Sequence, residues 1–307
     1  MTIPQLVMAE SSPEPTRAPV PGAASLAVRE AVERPRRAAK VIAVFPSSVY
    51  LQLKSGNEPR VVALVGSESV ARPANAIVVP SNGRWGPFAG VREGDDGWVG
   101  DGHAEAGTLR VRVKRWWDPS PVLGPVSTSR LRQGAMQLES GLDVSSCGLA
   151  GHPGPRLLAE RCAAGDLAHA VLAAEKIVGL GPGLTPSGDD VIAGLLLSLR
   201  LLGGSLDGGS RAIWLADWLG AAVTADAQTR TTSLSASLLH CAARGQAAGE
   251  AAAVLRGLAG QESLVPAVRR LMSTGRNSGP DVAWGLLAGC KATLSLCEAA
   301  ASRRVTA

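Results

Sequence analysis

The feature that most constrains this chain is a decapeptide that occurs twice. Ser187-Gly188-Asp189-Asp190-Val191-Ile192-Ala193-Gly194-Leu195-Leu196 and Ser278-Gly279-Pro280-Asp281-Val282-Ala283-Trp284-Gly285-Leu286-Leu287 both read S-G-x-D-V-x-x-G-L-L, with starts 91 residues apart. Each copy reads as a loop running into a helix. Gly194 and Gly285 fall two turns in, where a missing side chain lets two helix backbones come close. The doubling therefore suggests two facing helix N-termini with one polar site between them, not two separate sites.

Much of each copy is accounted for by helix initiation. Ser-x-x-Asp fits a variant capping box, with the serine at the N-cap and the carboxylate three residues on reaching back to its amide. An aspartate in the first turn suits the helix dipole, and Pro280 stands where no amide donor is needed. The first copy carries more than a cap requires. Gly179, Gly181 and Gly183 alternate ahead of Leu184-Thr185-Pro186. Glycines there let the backbone approach a ligand and aim amides at it, and the hydroxyls of Thr185 and Ser187 add donors. This is the logic of an anion cradle at a helix N-terminus. It is neither a Walker loop nor a dinucleotide fingerprint. Gly181, Gly183, Leu184, Thr185 and Gly188 are the candidate binding residues of this loop.

Asp189 and Asp190 repel a bare anion, and three roles stand open for them. One caps while the other holds a basic residue; one orients or deprotonates a substrate nitrogen; or the pair binds Mg²⁺ through oxygen. With Ser187 and Asp281 they form the candidate catalytic set. Further metal ligands cannot be named, so no metal site is assigned and no cofactor is required, Mg²⁺ remaining possible. A third polar cluster, Asp226 to Ser233, precedes a helix whose N-cap is Thr231 or Thr232. Its one cation, Arg230, suits a carboxylate or phosphate. Arg276 and Asn277 lead into Ser278-Gly279 in the same way. Arg230, Thr231, Thr232, Arg276, Asn277, Ser278 and Gly279 complete the candidate substrate-binding set.

Texture divides the chain. Residues 1–25 are rich in Pro, Ala, Ser and Glu and read as a disordered tail; 26–38 holds a short helix broken at Pro35. Strand-like runs follow at 41–45, 49–53, 60–65 and 76–79, with Trp85, Phe88 and Trp98 among glycine-rich turns. Leu109 to Lys114 alternates apolar and basic, a strand with one wet face. Pro119, Pro121 and Pro125 mark a junction. Beyond it, helices are expected at 127–140, 155–164, 165–178, 188–202, 211–223, 232–244, 247–258, 262–273 and 281–300. The expected class is α+β: a tail over 1–38, a small β domain (sandwich or barrel) over 39–122, and an all-α domain over 123–307 that carries the glycine-rich loop.

The net charge of +5 owes much to Arg29, Arg34, Arg36, Arg37 and Lys40 in one stretch. Such a balance fits small anionic substrates and nucleic acid alike. Ten aromatics in 307 residues supply a base-stacking surface poorly, and there is no zinc-finger spacing, so nucleic acid is set aside. The five cysteines are widely spaced, without C-x-x-C, and read as buried small hydrophobes in a reducing compartment. There is no secretory leader and no apolar run of about 18 residues, so a cytoplasmic protein without a membrane span is expected.

Gly179 through Asp190 resembles the signature of a bacterial family that includes AllH, a subunit of the oxamate carbamoyltransferase of anaerobic allantoin breakdown. Val41 to Leu53 is similar to its first strands, Arg230-Thr231-Thr232-Ser233-Leu234-Ser235 to its Arg-Thr-Thr segment, and Gly275 to Asp281 to its second Ser-Gly-x-Asp loop. The likeness spans roughly residues 40–298. The chain departs from the family pattern at Arg276, where a histidine is usual, and at Asn277, where a small hydroxyl residue is usual. The change leaves no histidine there for proton transfer and fits a different substrate. The resemblance implies carbamoyl transfer between carbamoyl phosphate and a small acceptor such as oxamate, giving oxalurate and phosphate. It also implies assembly, with other enzyme subunits or with copies of itself. Two alternatives from other classes are a non-catalytic anion-binding subunit and a metal-dependent hydrolase.

Overall fold

The computed structural model describes residues 18–69, 71–82 and 86–305. Residues 1–17 of the expected tail lie outside the described residues, as does Trp85.

Eight strands form a closed barrel: β1 (Val20–Ser25), β2 (Arg37–Phe45), β3 (Ser48–Leu53), β4 (Val61–Gly66), β5 (Ala76–Val79), β6 (Asp96–Gly100), β7 (His103–Ala106) and β8 (Leu109–Trp117). Their order around the barrel is β1-β5-β4-β3-β2-β6-β7-β8. Most neighbours are antiparallel; β4 pairs with β5, and β1 with β8, in parallel. Inward side chains of alternate residues, among them Val41, Leu51, Leu64, Ile77, Val99 and Val111, fill the interior.

The expected fold class is corrected here. The β part is a closed barrel, which removes the sandwich, and its closing strand comes from the stretch assigned to a tail. β1 pairs with β5 on one side and β8 on the other, so without it the sheet would have two open edges. Residues 29–33 then form a short helix, α1 (Arg29–Glu33), before β2. Composition hid β1 because Val20-Pro21-Gly22-Ala23-Ala24-Ser25 carries little β-branched bulk. Gly22 is required by the closure: a Cβ there would sit 2.6 Å from Val111 Cγ1 across the parallel pair. The α+β class fits this barrel and the helices that follow.

Those helices are α2 (Thr128–Gly141), α3 (Gly154–Ala163), α4 (Leu167–Glu175), α5 (Ser187–Gly203), α6 (Ser210–Ala225), α7 (Ala227–Arg230), α8 (Ser233–Ala243), α9 (Gly249–Ala259), α10 (Leu264–Met272) and α11 (Ser278–Val305). Each expected helical span coincides with one of them. The crossed pair α5 and α11 is the spine. One side of it packs Leu197, Leu286 and Cys290 against α2, α9 and α10. The other packs Ile192, Leu196 and Trp284 against α3, α4 and α6. All five cysteines are buried and free.

The glycines of the repeat set this crossing. A Cβ on Gly194 would lie 2.3 Å from the Val282 carbonyl oxygen, and one on Gly285 would lie 2.1 Å from that of Val191. The relation is reciprocal, as an internal two-fold requires. At the two helix starts, Gly188 abuts the carbonyl of Ile177 and Gly279 that of Leu271 in α10. Ser198 Oγ donates to the Leu286 carbonyl at 2.9 Å across the buried interface.

The barrel meets the helical domain at one polar seam. Glu58, in the β3–β4 loop, accepts from Ser237 Oγ of α8 at 2.7 Å. The same hydroxyl accepts the amides of Arg60 and Val61, each at 3.1 Å. Gln228 also donates to Glu58.

Candidate functional site

The N-termini of α5 and α11 face each other, and the expected capping boxes do not form. Ser187 is the first residue of α5, Pro186 takes the N-cap position, and no side chain caps the helix. The serines reach across the crossing instead. The Ser187 hydroxyl lies beside the Asp281 carboxylate, and the Ser278 hydroxyl beside Asp190. Thr185 Oγ1 and Ser278 Oγ are hydrogen bonded at 2.8 Å, which closes the pairing on the loop side. The glycine-mediated crossing brings the other helix's carboxylate within reach of each serine.

Asp189 and Asp190 are adjacent and both buried, but they face different partners. Asp189 Oδ1 accepts the Gly179 amide at 2.8 Å. Its Oδ2 accepts the Ser235 hydroxyl at 2.7 Å and that of Thr231. It is an organiser: one carboxylate pins the start of the glycine loop to the start of α8. Burial pushes its proton affinity up and the three donors pull it back.

Asp190 and Asp281 are the reactive-looking pair. Both are buried, and each has one carboxylate oxygen, Oδ2, without a hydrogen-bond partner. Burial holds Asp190 well above the usual carboxylate range; the neighbouring Ser278 hydroxyl opposes this, and the charges of Asp281 and Asp189 add to it. Asp281 is also raised by burial, but the Ser187 hydroxyl and the Gly148 amide favour its ionised form. The Gly148 amide donates to Asp281 Oδ1 at 2.9 Å. The charge of Asp281 adds to the raising of Asp190, as expected for like charges near one another.

The loop before α5 turns through left-handed backbone at Gly179, Gly181 and Gly183, with φ of +72°, +121° and +93°. Among the described residues, the amides of Gly181, Gly183, Leu184 and Thr185 have no acceptor within the chain. The Gly188 amide is used, donating to the Leu180 carbonyl at 3.0 Å. Leu184 contributes its carbonyl, which accepts from Thr232 Oγ1. Thr232 is the N-cap of α8, accepting the Ser235 amide at 3.1 Å.

The two arginines part company. Arg230 donates to the Glu175 carbonyl at 2.7 Å and lies 3.8 and 3.7 Å from the carboxylates of Glu175 and Asp226. It staples α7 to the end of α4. Arg276 is exposed and, among the described residues, has no hydrogen bond or ion pair. It stands two residues before Ser278. Asn277 carries the helix start: its carbonyl accepts the Asp281 amide at 2.9 Å and its side chain donates to the Ser146 carbonyl at 3.1 Å. The Gly279 amide donates to the Thr274 carbonyl at 2.9 Å, the counterpart of Gly188.

Two participants escaped the sequence reading. Gly148 belongs to the glycine-rich stretch Cys147 to Gly154, whose spacing gave no sign of where it would pack. A Cβ on it would lie 2.1 Å from Ser187 Oγ. Ser235 was visible only as the last hydroxyl of Thr231-Thr232-Ser233-Leu234-Ser235. The nearby Cys147 thiol is pushed up to about 12, by burial first and then by Asp281 and Asp143, and is no nucleophile. Among the described residues, no three His, Cys, Asp or Glu side chains converge to hold a metal ion, and no helix is long and apolar enough to cross a membrane.

A closed barrel joined to a helical domain, with paired carboxylates between two helix N-termini, is the frame in which the family comparison falls. Residues 177–290 match the family described as oxamate carbamoyltransferase subunit AllH. The matched stretch starts just before the glycine loop and ends within α11, so it holds both walls of the site. The family resemblance is shown over this segment. Compared with curated proteins and with solved structures, the chain finds no match in either.

Proposed function

We propose that the chain is the subunit of a carbamoyltransferase-type enzyme that carries the reacting groups, moving a carbamoyl group between carbamoyl phosphate and a small oxamate-like acceptor. The observation behind this is the buried Asp190–Asp281 pair, each with an unpartnered oxygen, beneath a loop of unused amides. The family match over the same residues supports the class of reaction.

In this reading the phosphate sits against the amides of Gly181, Gly183, Leu184 and Thr185 at the start of α5, with Arg276 as the cation that offsets its charge. Arg230 holds the scaffold and does not touch substrate. The acceptor nitrogen attacks the carbamoyl carbon, a C–N bond forms, and the C–O bond to phosphate breaks. The ionised member of the carboxylate pair takes the proton from the nitrogen, and the protonated member donates to the departing phosphate oxygen. Ser187 and Ser278 hold the two carboxylates in register. Asp189 acts through the loop it pins. No covalent intermediate on the protein is involved, and no metal ion is required.

The test is turnover of carbamoyl phosphate with oxamate by the chain, alone and with the companion subunits of its assembly. Asp190→Asn is isosteric at a buried site and is expected to lower kcat by at least about a thousandfold, in line with loss of a general acid–base group, with circular dichroism unchanged. Full activity in that variant, or activity abolished by a chelator, refutes the reading. Binding of carbamoyl phosphate without turnover in any combination of subunits would favour a non-catalytic anion-binding subunit instead.

A further inference from the structure

Two carboxylates, one from each domain, hold the same stretch of chain. Glu58 of the barrel has a side chain only 10% exposed. Its Oε2 accepts the Ser237 hydroxyl at 2.7 Å, and its Oε1 accepts the side-chain amide of Gln228. Arg60, also of the barrel, pairs with it at 3.1 Å. Asp189 of α5 takes the residues between: its Oδ2 accepts the hydroxyls of Thr231 and, at 2.7 Å, Ser235. Gln228 and Ser237 thus go to the barrel, and Thr231 and Ser235 go to α5. At 3.6 residues per turn, positions two apart project from nearly opposite sides of a helix. Ser235 and Ser237 are both buried, so the start of α8 is held from two sides at once.

The glycine loop rests on this bridge at three points. The Gly179 amide donates to Asp189 Oδ1 at 2.8 Å, and the Thr232 hydroxyl donates to the Leu184 carbonyl. Gly179 itself lies against the Arg230 carbonyl, where a Cβ would not fit. Held by Asp189 alone, the α7–α8 junction and the loop could shift together; Glu58 fixes the junction to the barrel. We infer that Glu58 is a positioning residue for the glycine loop, and that the barrel sets the place of the loop backbone through α7 and the start of α8. That Glu58 thereby places a phosphate rests on the carbamoyl-transfer reading; that it places the loop does not.

Hydrogen exchange of the Gly179, Leu180 and Gly188 amides reads the loop without substrate. All three are hydrogen bonded, to Asp189, the Ile177 carbonyl and the Leu180 carbonyl. In the full chain, Glu58→Ala is expected to speed their exchange about tenfold, the scale of one lost hydrogen bond to a charged group. Glu58→Gln keeps an oxygen for Ser237 and meets Gln228 once that amide turns round, so it should recover part of the loss. Val99→Ala is the control for general weakening of the barrel: Val99 is fully buried inside it, on β6, and has no part in the bridge. It should leave the three rates alone. In the turnover assay, Glu58→Ala should raise KM for carbamoyl phosphate about tenfold and keep kcat within about twofold, the split expected when ground and transition states lose the same contact. Unchanged exchange in Glu58→Ala, equal speeding by Val99→Ala, or no recovery in Glu58→Gln would each overturn the inference. Faster exchange with an unmoved KM would uphold it and count instead against the phosphate's place in the loop.

Discussion

Replacing Gly285 by alanine tests the crossing on which the whole site depends. The new methyl carbon would sit 2.1 Å from the Val191 carbonyl oxygen, 2.9 Å from its carbon and 3.0 Å from the Leu195 amide nitrogen. All three are helix backbone and none can rotate away. Ordinary contact begins near 3.4 Å, so α5 and α11 must part by roughly 1 Å. Overpacking of a filled core costs about 1–3 kcal/mol, and a clash with rigid backbone belongs at the top of that range. Alanine returns about 1 kcal/mol of helix propensity. The net loss is about 2 kcal/mol, a fall in Tm of about 4–8 °C for a chain of this size class. Differential scanning calorimetry measures it. Gly141→Ala is the control, because it ends α2 and its Cβ would meet only Val268 Cγ1, at 3.7 Å; it gains the propensity without the clash. A Tm for Gly285→Ala at or above that of the unaltered chain would refute the reasoning, since it would mean that the helices do not touch where these glycines say they do.

Asp190→Asn is expected to stabilise the fold as it removes activity. An acid whose folded pKa is raised above its unfolded value near 3.8 costs the native state stability as pH rises from that value towards the folded pKa, since the folded state then binds more protons than the unfolded. The variant's advantage in denaturant midpoint should therefore be absent near pH 4, grow as pH rises, and level off once Asp190 ionises in the folded protein; a pH-independent difference would contradict the assignment. Asp189→Asn keeps the shape but turns one acceptor oxygen into a donor amide facing the donors Gly179 N, Thr231 and Ser235. A cost of about 1–3 kcal/mol follows from the unmatched buried group, read as faster hydrogen exchange at Gly179 to Thr185. Arg276→Gln should raise KM for carbamoyl phosphate about tenfold or more, the worth of one charge-assisted contact, while Arg230→Gln should lower Tm and leave KM alone. The reverse pattern would move the substrate cation to Arg230.

The repeat made the crossed helices legible before any coordinates, because a glycine two turns into each of two matching helix starts has one economical explanation. The helical spans were legible for a related reason: alanine- and leucine-rich segments between glycines carry a strong local signal. β1 was not, since Val20 to Ser25 is short and rich in small residues, and its strand character comes from β5 and β8 on either side. The capping box misled because Ser-x-x-Asp states which groups need partners, not which helix provides them. The same four side chains satisfy either a local or a crossed pairing, and only the helix separation set by Gly194 and Gly285 decides between them. Arg230 and Arg276 looked alike in sequence for the same reason; Glu175 and Asp226, which occupy the first, are remote from it or undistinguished in composition.

The internal two-fold would by itself make two equivalent carboxylates, and equivalent groups make a poor acid–base couple. The copies differ at three positions, and one of these changes a charge beside the carboxylate. Asp189 in the first copy is matched by Pro280 in the second. On the first side, Asp189 ties the loop to α8, and its charge adds to the raising of Asp190. On the second side no such carboxylate stands beside Asp281, and the Gly148 amide donates directly to it at 2.9 Å, favouring its ionised form. Both effects push in opposite senses on two groups that share a site: Asp190 keeps its proton more firmly and Asp281 gives its up more readily. A pair separated in this way can hold one proton in a defined place, which is the condition for one member to act as base while the other acts as acid. The Asp-to-Pro difference thus adds to an asymmetry that burial and the Gly148 amide already set between the two carboxylates.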